Sequence, residues 1–285
     1  MDFIISILEQ GLIYGILGLG VYITYKILDF PDLTTDGSFP LGAAISAAMI
    51  SRGMNPYLAL LVSFAAGAAA GCCTGLIHVK CKVRDLLSGI IMMTALWTIN
   101  LRIAGTSNVP IFSKDSIFHN DFLDMLPGAI KPYRTLLIVI VLVVVTKILL
   151  DLYMNTKSGF LLRAVGDNST LVTSLAKDQG NVKIMGLALS NGLIALSGSI
   201  FCQEERVFEV SMGTGAIVIG LASVIIGTSI FKNLSLLKAT TAVIIGSVLY
   251  KACVAVAIRN FEPQDMKLIT AILFLVVLVL SMERK

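Results

Sequence analysis

The sequence predicts an all-α integral membrane protein, a polytopic bundle of about nine membrane segments. Three observations carry that prediction. The 285 residues are 56% hydrophobic and only 14% charged, where soluble domains carry about 25% charged residues. Mean hydropathy is +0.88. The apolar stretches are continuous rather than alternating, which excludes the period-2 pattern of an outer-membrane barrel. A net charge of +4 gives no reason to expect nucleic acid binding. The five cysteines (Cys72, Cys73, Cys81, Cys202 and Cys253) have neither zinc-type nor disulfide-framework spacing.

A spanning helix needs roughly 20 apolar residues. Segments 3–28, 56–79, 85–104, 134–154, 182–202, 212–231, 236–258 and 267–282 meet or approach that length, and 39–51 is apolar but short. The first segment reads as a retained span: Met1-Asp2 is acidic at its start, and Glu9-Gln10 interrupt the early apolar run, unlike a cleavable signal. Lys80, Lys82 and Arg84 fill one loop. Lys157, Arg163, Lys177 and Lys183 mark the stretch 155–183, Lys232 and Lys238 another loop, and Arg284-Lys285 the end. The alternate loops carry Asp115, Asp121, Asp124, Glu204, Glu205, Glu209, Glu262 and Asp265. If all nine segments cross, the two sets alternate and the basic loops are cytoplasmic. If 39–51 is re-entrant, the first span must flip. The whole chain, 1–285, reads as a single transmembrane domain. Glycines recur in the spans, and "GAAAG" at 67–71 has the small-xxx-small spacing that lets helix backbones approach. Packing within one subunit is favoured there over a dimer contact.

"LDFPDLTTDGSFPLGAA", starting at Leu28, puts Asp29, Asp32 and Asp36 beside two prolines and a Thr-Thr pair. Pro31, Gly37 and Pro40 break regular helix. The stretch reads as a helix break followed by a half-helix from Phe39 to Ile50, with Thr34, Thr35 or Ser38 capping it and Asp36 near its positive end. Irregular backbone at membrane depth survives only where protein or a wet cavity surrounds it, and ionisable residues there mark pathways. An ordinary cytoplasmic loop with solvated acids is the alternative. A second interrupted stretch, "EERVFEVSMGTG" at 204–215, precedes another Gly-punctuated span. Paired interruptions in opposed halves are the positional trace of an inverted repeat. Candidate pathway residues are therefore Asp32, Thr34, Thr35, Asp36, Ser38, Ser211 and Thr214, with Asn191 in a mostly apolar span. For Asn191 an interhelical hydrogen bond is the favoured single role. The lone tryptophan, Trp97, is a candidate for stacking on solute, or for packing.

Residues 155–183 form the longest polar segment on the basic side. Within it Leu171, Val172, Leu175 and Ala176 make one apolar face on a helix of about three turns, too short to stand alone in water. It docks on its own bundle, on the bilayer, or in a groove on a cytosolic partner. The chain has no Gly-Lys dipeptide, hence no Walker A loop, and no nucleophile or metal constellation. His78 and His119 read as solvated.

"GFLLRAVGDN", a short helix, then "GNVKIMGLALSNGLIALSGSI" resembles the cytoplasmic coupling segment of bacterial ABC-importer permeases of the branched-chain amino acid and ribose class. "GTGAIVIGLASVIIGTSIFKNLSLLKATTAVIIGSVLY" is similar to that class as well. "LDFPDLTTDGSFPLGAA" is similar to its branch linked to aromatic amino acid (tryptophan or tyrosine) uptake. The resemblance implies a permease subunit, usually a homodimer, in the bacterial cytoplasmic membrane. Its partners would be a cytosolic ATP-binding subunit, which holds the ATP and magnesium, and an extracytoplasmic substrate-binding protein. It assigns coupling to Gly159, Arg163, Ala164, Gly166, Asp167, Asn168 and Gly180, to which the apolar face adds Leu171 and Leu175. The alternatives are an ion-coupled secondary transporter using Asp29, Asp32 or Asp36, a sugar or nucleoside permease, and a membrane scaffold for an ATPase.

Overall fold

The computed structural model describes residues 2–120, 133–167, 179–231, 237–260 and 266–282. Helix α1, Asp2–Val21, continues into a π-helical turn, Tyr22–Ile27. Then follow α2 (Thr35–Ser51), α3 (Pro56–Val79), α4 (Asp85–Ala104), β1 (Asn108–Pro110), α5 (Arg134–Met154), α6 (Lys157–Asp167) and α7 (Gln179–Glu205). The chain closes with β2 (Val207–Glu209), a 3-10 turn (Val210–Gly213), α8 (Ala216–Ile230), α9 (Ala239–Asn260) and α10 (Met266–Met282). Seven segments are long and apolar enough to cross a membrane. Among the described residues the 17-residue α2 and α10 are shorter, and α10 holds a further apolar stretch, Leu268–Val279.

The short segment runs alongside α3 and α4 rather than forming a surface loop. Thr34, at the start of α2, hydrogen-bonds Thr74 near the end of α3, whereas Ile50, near its end, packs with Leu101, Ile103 and Ala104 of the last turn of α4. The helix begins at Thr35, four residues before the expected Phe39, because Pro40 is accommodated inside it. Proline leaves the carbonyl four residues back without its helical donor; here that is Asp36. The α3–α4 loop and the start of α7 line one cleft. At the same end Lys238 pairs with Asp151 at 3.3 Å and Ser158 reaches Met185. The basic loops thus share one face, which the positive-inside rule assigns to the cytoplasm. The loop residues Lys177, Lys232, Asp121, Asp124, Glu262, Asp265, Arg284 and Lys285 lie outside the described residues.

At the opposite end β1 and β2 pair antiparallel, Asn108 facing Glu209. This two-stranded ribbon sits over Ile50, Ile111 and Phe208. Gln203 ties it to the bundle: its amide donates to Ser46 at 3.0 Å and Pro56 O at 3.3 Å, and its carbonyl accepts from Ile117 N–H at 3.1 Å. Polar residues on α1 are also matched. Gln10 donates to Glu205 at 3.0 Å, and the Lys251 ammonium stands 4.0 Å from the centroid of the Tyr14 ring.

The "GAAAG" stretch of α3 packs inside the subunit, against α7. A Cβ on Gly71 would stand 2.1 Å from the Leu187 carbonyl oxygen, and one on Gly67 2.3 Å from that of Asn191. Lipid supplies no hydrophobic drive for helix association, so backbone proximity itself holds this pair. Gly71→Ala is expected to cost about 1–3 kcal/mol by forcing the helices apart. Thermal unfolding of the purified protein in detergent measures it; an unchanged midpoint would show that the contact is dispensable.

Candidate functional site

The break after α1 is built by its own residues. Asp29 adopts a left-handed backbone (φ +50°), which Asp tolerates better than most. Phe30 N–H then reaches back to Thr24 O at 2.9 Å, a Schellman-like lock on the helix end. Asp32 follows, 2% exposed. Its Oδ1 accepts from Thr34 N–H at 2.9 Å and its Oδ2 from Asn191 Nδ2 at 2.7 Å. The Asn191 carbonyl oxygen in turn accepts from Ser38 Oγ at 2.7 Å. Thr35 Oγ1 donates to the Asp32 carbonyl at 2.9 Å, and Thr34 pairs with Thr74 at 2.9 Å. Asp32, Thr34, Thr35, Ser38 and Asn191 thus form one buried knot joining the broken segment to α3 and α7. They have essentially no open face in this conformation.

Asp36 behaves differently from its expected place at the start of its own helix. Its two carboxylate oxygens accept from Gly215 N–H at 3.0 Å and Ile217 N–H at 2.9 Å. It therefore caps α8, whose two bonded N–H groups lie 179 and 181 residues further along the chain. Gly215 is the N-cap of α8 with φ +84°, a conformation that favours glycine. The 3-10 turn arrives directly over the proline break: a Cβ on Gly213 would be 2.2 Å from Asp36 O and 2.4 Å from Pro40 Cδ. The two interrupted segments singled out in the sequence therefore meet at one carboxylate.

Two clefts flank this junction, and both touch Thr214. One, of about 330 Å³, is lined by Asp36, Pro40, Met93, Thr94, Trp97 and Asn100 as well as Thr214. The other, of about 440 Å³, lies among Thr214, Val218, Tyr250, Thr270 and Phe274. Trp97 is 46% exposed at the rim of the first. Asn100 is fully buried; its amide donates to Gly37 O at 3.1 Å, while among the described residues its Oδ1 has no hydrogen-bond partner. Among the same residues Tyr250 Oη, in the second cleft, has none either. An unsatisfied buried polar atom costs about 1–3 kcal/mol, and an incoming solute with a matching donor removes that cost. Ser211 lies away from these clefts, exposed, its hydroxyl donating to Glu209 Oε1. Asp29 is exposed and belongs to the helix-end lock.

Sequence reasoning missed Asn100 and Tyr250. Asn100 had a readable signal: a lone amide in a span, three residues after Trp97 and six after Thr94, on one helix face.

On the cytoplasmic side, α6 packs against the end of α1 and the start of α7. Leu162 and Val165 are buried. A Cβ on Gly166 would stand 1.6 Å from Ile27 O, and one on Gly159 2.5 Å from Met154 Cα. Arg163 is exposed and Ala164 half-buried. Asp167 ends α6, and Gly180 lies in the first turn of α7, lining the cytoplasmic cleft. Asn168, Leu171 and Leu175, with the rest of the expected short helix, lie outside the described residues.

A bundle of helices, interrupted where two helix N-termini meet beside clefts with apolar walls and a few polar groups, is the architecture of a membrane transport protein. Residues 3–282 match the model of the family described as branched-chain amino acid transport system / permease component, and the chain belongs to that family. It is 45% identical over 276 residues to the tyrosine transport system permease protein of Clostridioides difficile (strain R20291), covering 96% of this chain and 90% of the relative. It is 26% identical over 221 residues to a probable branched-chain amino acid transport permease protein LivH of Methanocaldococcus jannaschii, covering 70% and 67% of the two. The ribose import permease protein of Escherichia coli (strain K12) is 23% identical over 223 residues, covering 78% and 68%. No solved structure matches the chain. The protein is thus a multi-pass permease subunit of an importer in the bacterial inner membrane, one component of a system with ATPase and binding-protein partners.

Proposed function

We propose that the chain acts as one permease domain, 1–285, that carries an aromatic amino acid inward by alternating access as half of a homodimer, without chemistry of its own. The observation that carries this reading is the junction at Asp36. One carboxylate links the half-helix α2 to the N-terminus of α8 beside a cleft walled by Trp97, Thr94 and Asn100. Trp97 offers a ring face and Asn100 Oδ1 an acceptor for an ammonium or ring N–H. The tyrosine permease at 45% identity supports the substrate class. The exposed rim at Trp97 supports the dimer, since a second copy would supply the missing wall.

Coupling runs through α6. Its buried face rests on the π-helical end of α1, immediately before the break, and its exposed face carries Arg163. A push on α6 by the ATPase subunit therefore reaches the Asp32 knot through Ile27 and Leu28. The test is uptake of radiolabelled tyrosine into vesicles holding the permease, its binding protein and its ATPase subunit. ATP-dependent uptake is expected. Uptake driven by an ion gradient alone, or none under either condition, would overturn the reading. Arg163→Glu is expected to lower uptake about tenfold, equivalent to 1.4 kcal/mol of lost coupling, while the protein unfolds at the same temperature because the side chain is exposed. Unchanged uptake would remove Arg163 from coupling. Gly166→Pro is a poorer probe, because the site has no room for any side chain.

A further inference from the structure

At the cytoplasmic face, a cleft separate from the transport site opens between the α3–α4 loop and the first turns of α7. Its lining includes His78, Lys82, Arg84 and Lys183. The loop is held in shape. His78 Nδ1 and Val83 O are 2.9 Å apart, and Lys80 N–H bonds Leu76 O at 2.8 Å. Lys82 takes a left-handed backbone, φ +55°, and lines the same cleft as Arg84 and Lys183. Among the described residues none of these three cations has an acidic partner, whereas Lys147 and Lys238 both pair with Asp151. The nearby Asp85 carboxylate is engaged on Leu86 N–H at 3.0 Å. Topology alone requires positive charge on this side; it does not require three cations to line one cleft in a fixed loop.

We propose that this cleft binds a phosphate group, presented at the membrane surface as the headgroup of an anionic lipid. Three donors around a concave site suit the several acceptor oxygens of a phosphate better than a single carboxylate. The location, at the bilayer's cytoplasmic interface, is where anionic headgroups are concentrated. The proposal does not rest on the transport reading.

Native mass spectrometry of the protein released from mixed phosphatidylcholine and phosphatidylglycerol vesicles tests it. Wild type is expected to retain phosphatidylglycerol in preference to phosphatidylcholine. Each cation near an anionic surface contributes about 1 kcal/mol, or about fivefold in occupancy. Lys82→Gln, Arg84→Gln and Lys183→Gln are each expected to lower the retained fraction by about that factor. Charge-matched single controls at the opposite end, Arg52→Gln, Arg102→Gln and Lys114→Gln, should each leave it unchanged. The charge-preserving exchange Lys82→Arg with Arg84→Lys should retain binding, which separates lost contact from lost fold. Competition by inorganic phosphate distinguishes the sources: displacement at millimolar levels with equal stabilisation of lipid-free protein would make free phosphate the ligand and keep the phosphate site. Equal losses in the cleft and control variants, or no preference for phosphatidylglycerol, would overturn the proposal. Loss of ATPase-subunit binding with lipid retention unchanged would overturn it too, in favour of a protein contact.

Discussion

Asn191→Leu is expected to destabilise the purified protein by about 3 kcal/mol or more, as several degrees in the thermal midpoint in detergent. The asparagine holds three hydrogen bonds in a site with no exposure: to Asp32 Oδ2 at 2.7 Å, to Leu187 O at 3.0 Å and from Ser38 Oγ at 2.7 Å. Leucine is of similar size but satisfies none of them. A buried carboxylate that loses a donor incurs more than the 1–3 kcal/mol of a neutral group. The buried pair is not itself a large stabiliser, since replacing both partners by apolar groups is often neutral or better. The double variant Asp32→Leu/Asn191→Leu should therefore recover part of the lost midpoint, but not all of it, because Thr34 N–H and Ser38 Oγ still lose their acceptors. If the knot also serves transport, the double variant will be folded and inactive. A single variant with the wild-type midpoint would show that the site is wet enough to replace the asparagine, and would contradict the buried network.

Asp36→Leu is expected to cut uptake per folded molecule by tenfold or more while the protein still reaches the membrane. Two N–H groups at the start of α8 lose their acceptors, where the helix dipole also favours a negative charge. Loss of a capping carboxylate costs about 0.5–2 kcal/mol at an exposed helix, and more where water cannot take its place. The loosened element is the one that separates the two clefts, so the defect should fall on transport first. Asp36→Asn keeps one acceptor oxygen and should lie between wild type and the leucine variant. Uptake in proteoliposomes, normalised to permease content, gives the ranking. If protein content falls and uptake per molecule does not, the carboxylate is structural only.

Both predictions depend on partners that are far apart in the chain. The sequence exposed the helical membrane class, the crossing segments and both interrupted stretches, because each is a local property of composition or spacing. Apolar runs of about 20 residues must span, since nothing else satisfies their backbone in hydrocarbon. Pro31, Gly37 and Pro40 announce a break wherever they occur, and "GAAAG" announces close helix contact. Membership of the permease family was legible through its resemblance to a known family.

Partner choice was not legible. Asp36 caps α8 rather than its own helix, although its local sequence suits a self-cap. The chain folds so that Pro40 and Gly213 bring the second break against the first, and the nearest free N–H groups then belong to another element. Asn100, buried with an oxygen unpartnered among the described residues, became visible as a candidate only when α4 was placed against α2. The β1–β2 ribbon pairs segments some hundred residues apart, a non-local choice that three-residue strands cannot advertise. The sequence by itself determined which residues must enter the membrane and where helices must stop, since solvation and backbone geometry act locally. Only the tertiary structure decided which polar group answers which, because in a dry interior a donor is satisfied by whatever packing brings within about 3 Å.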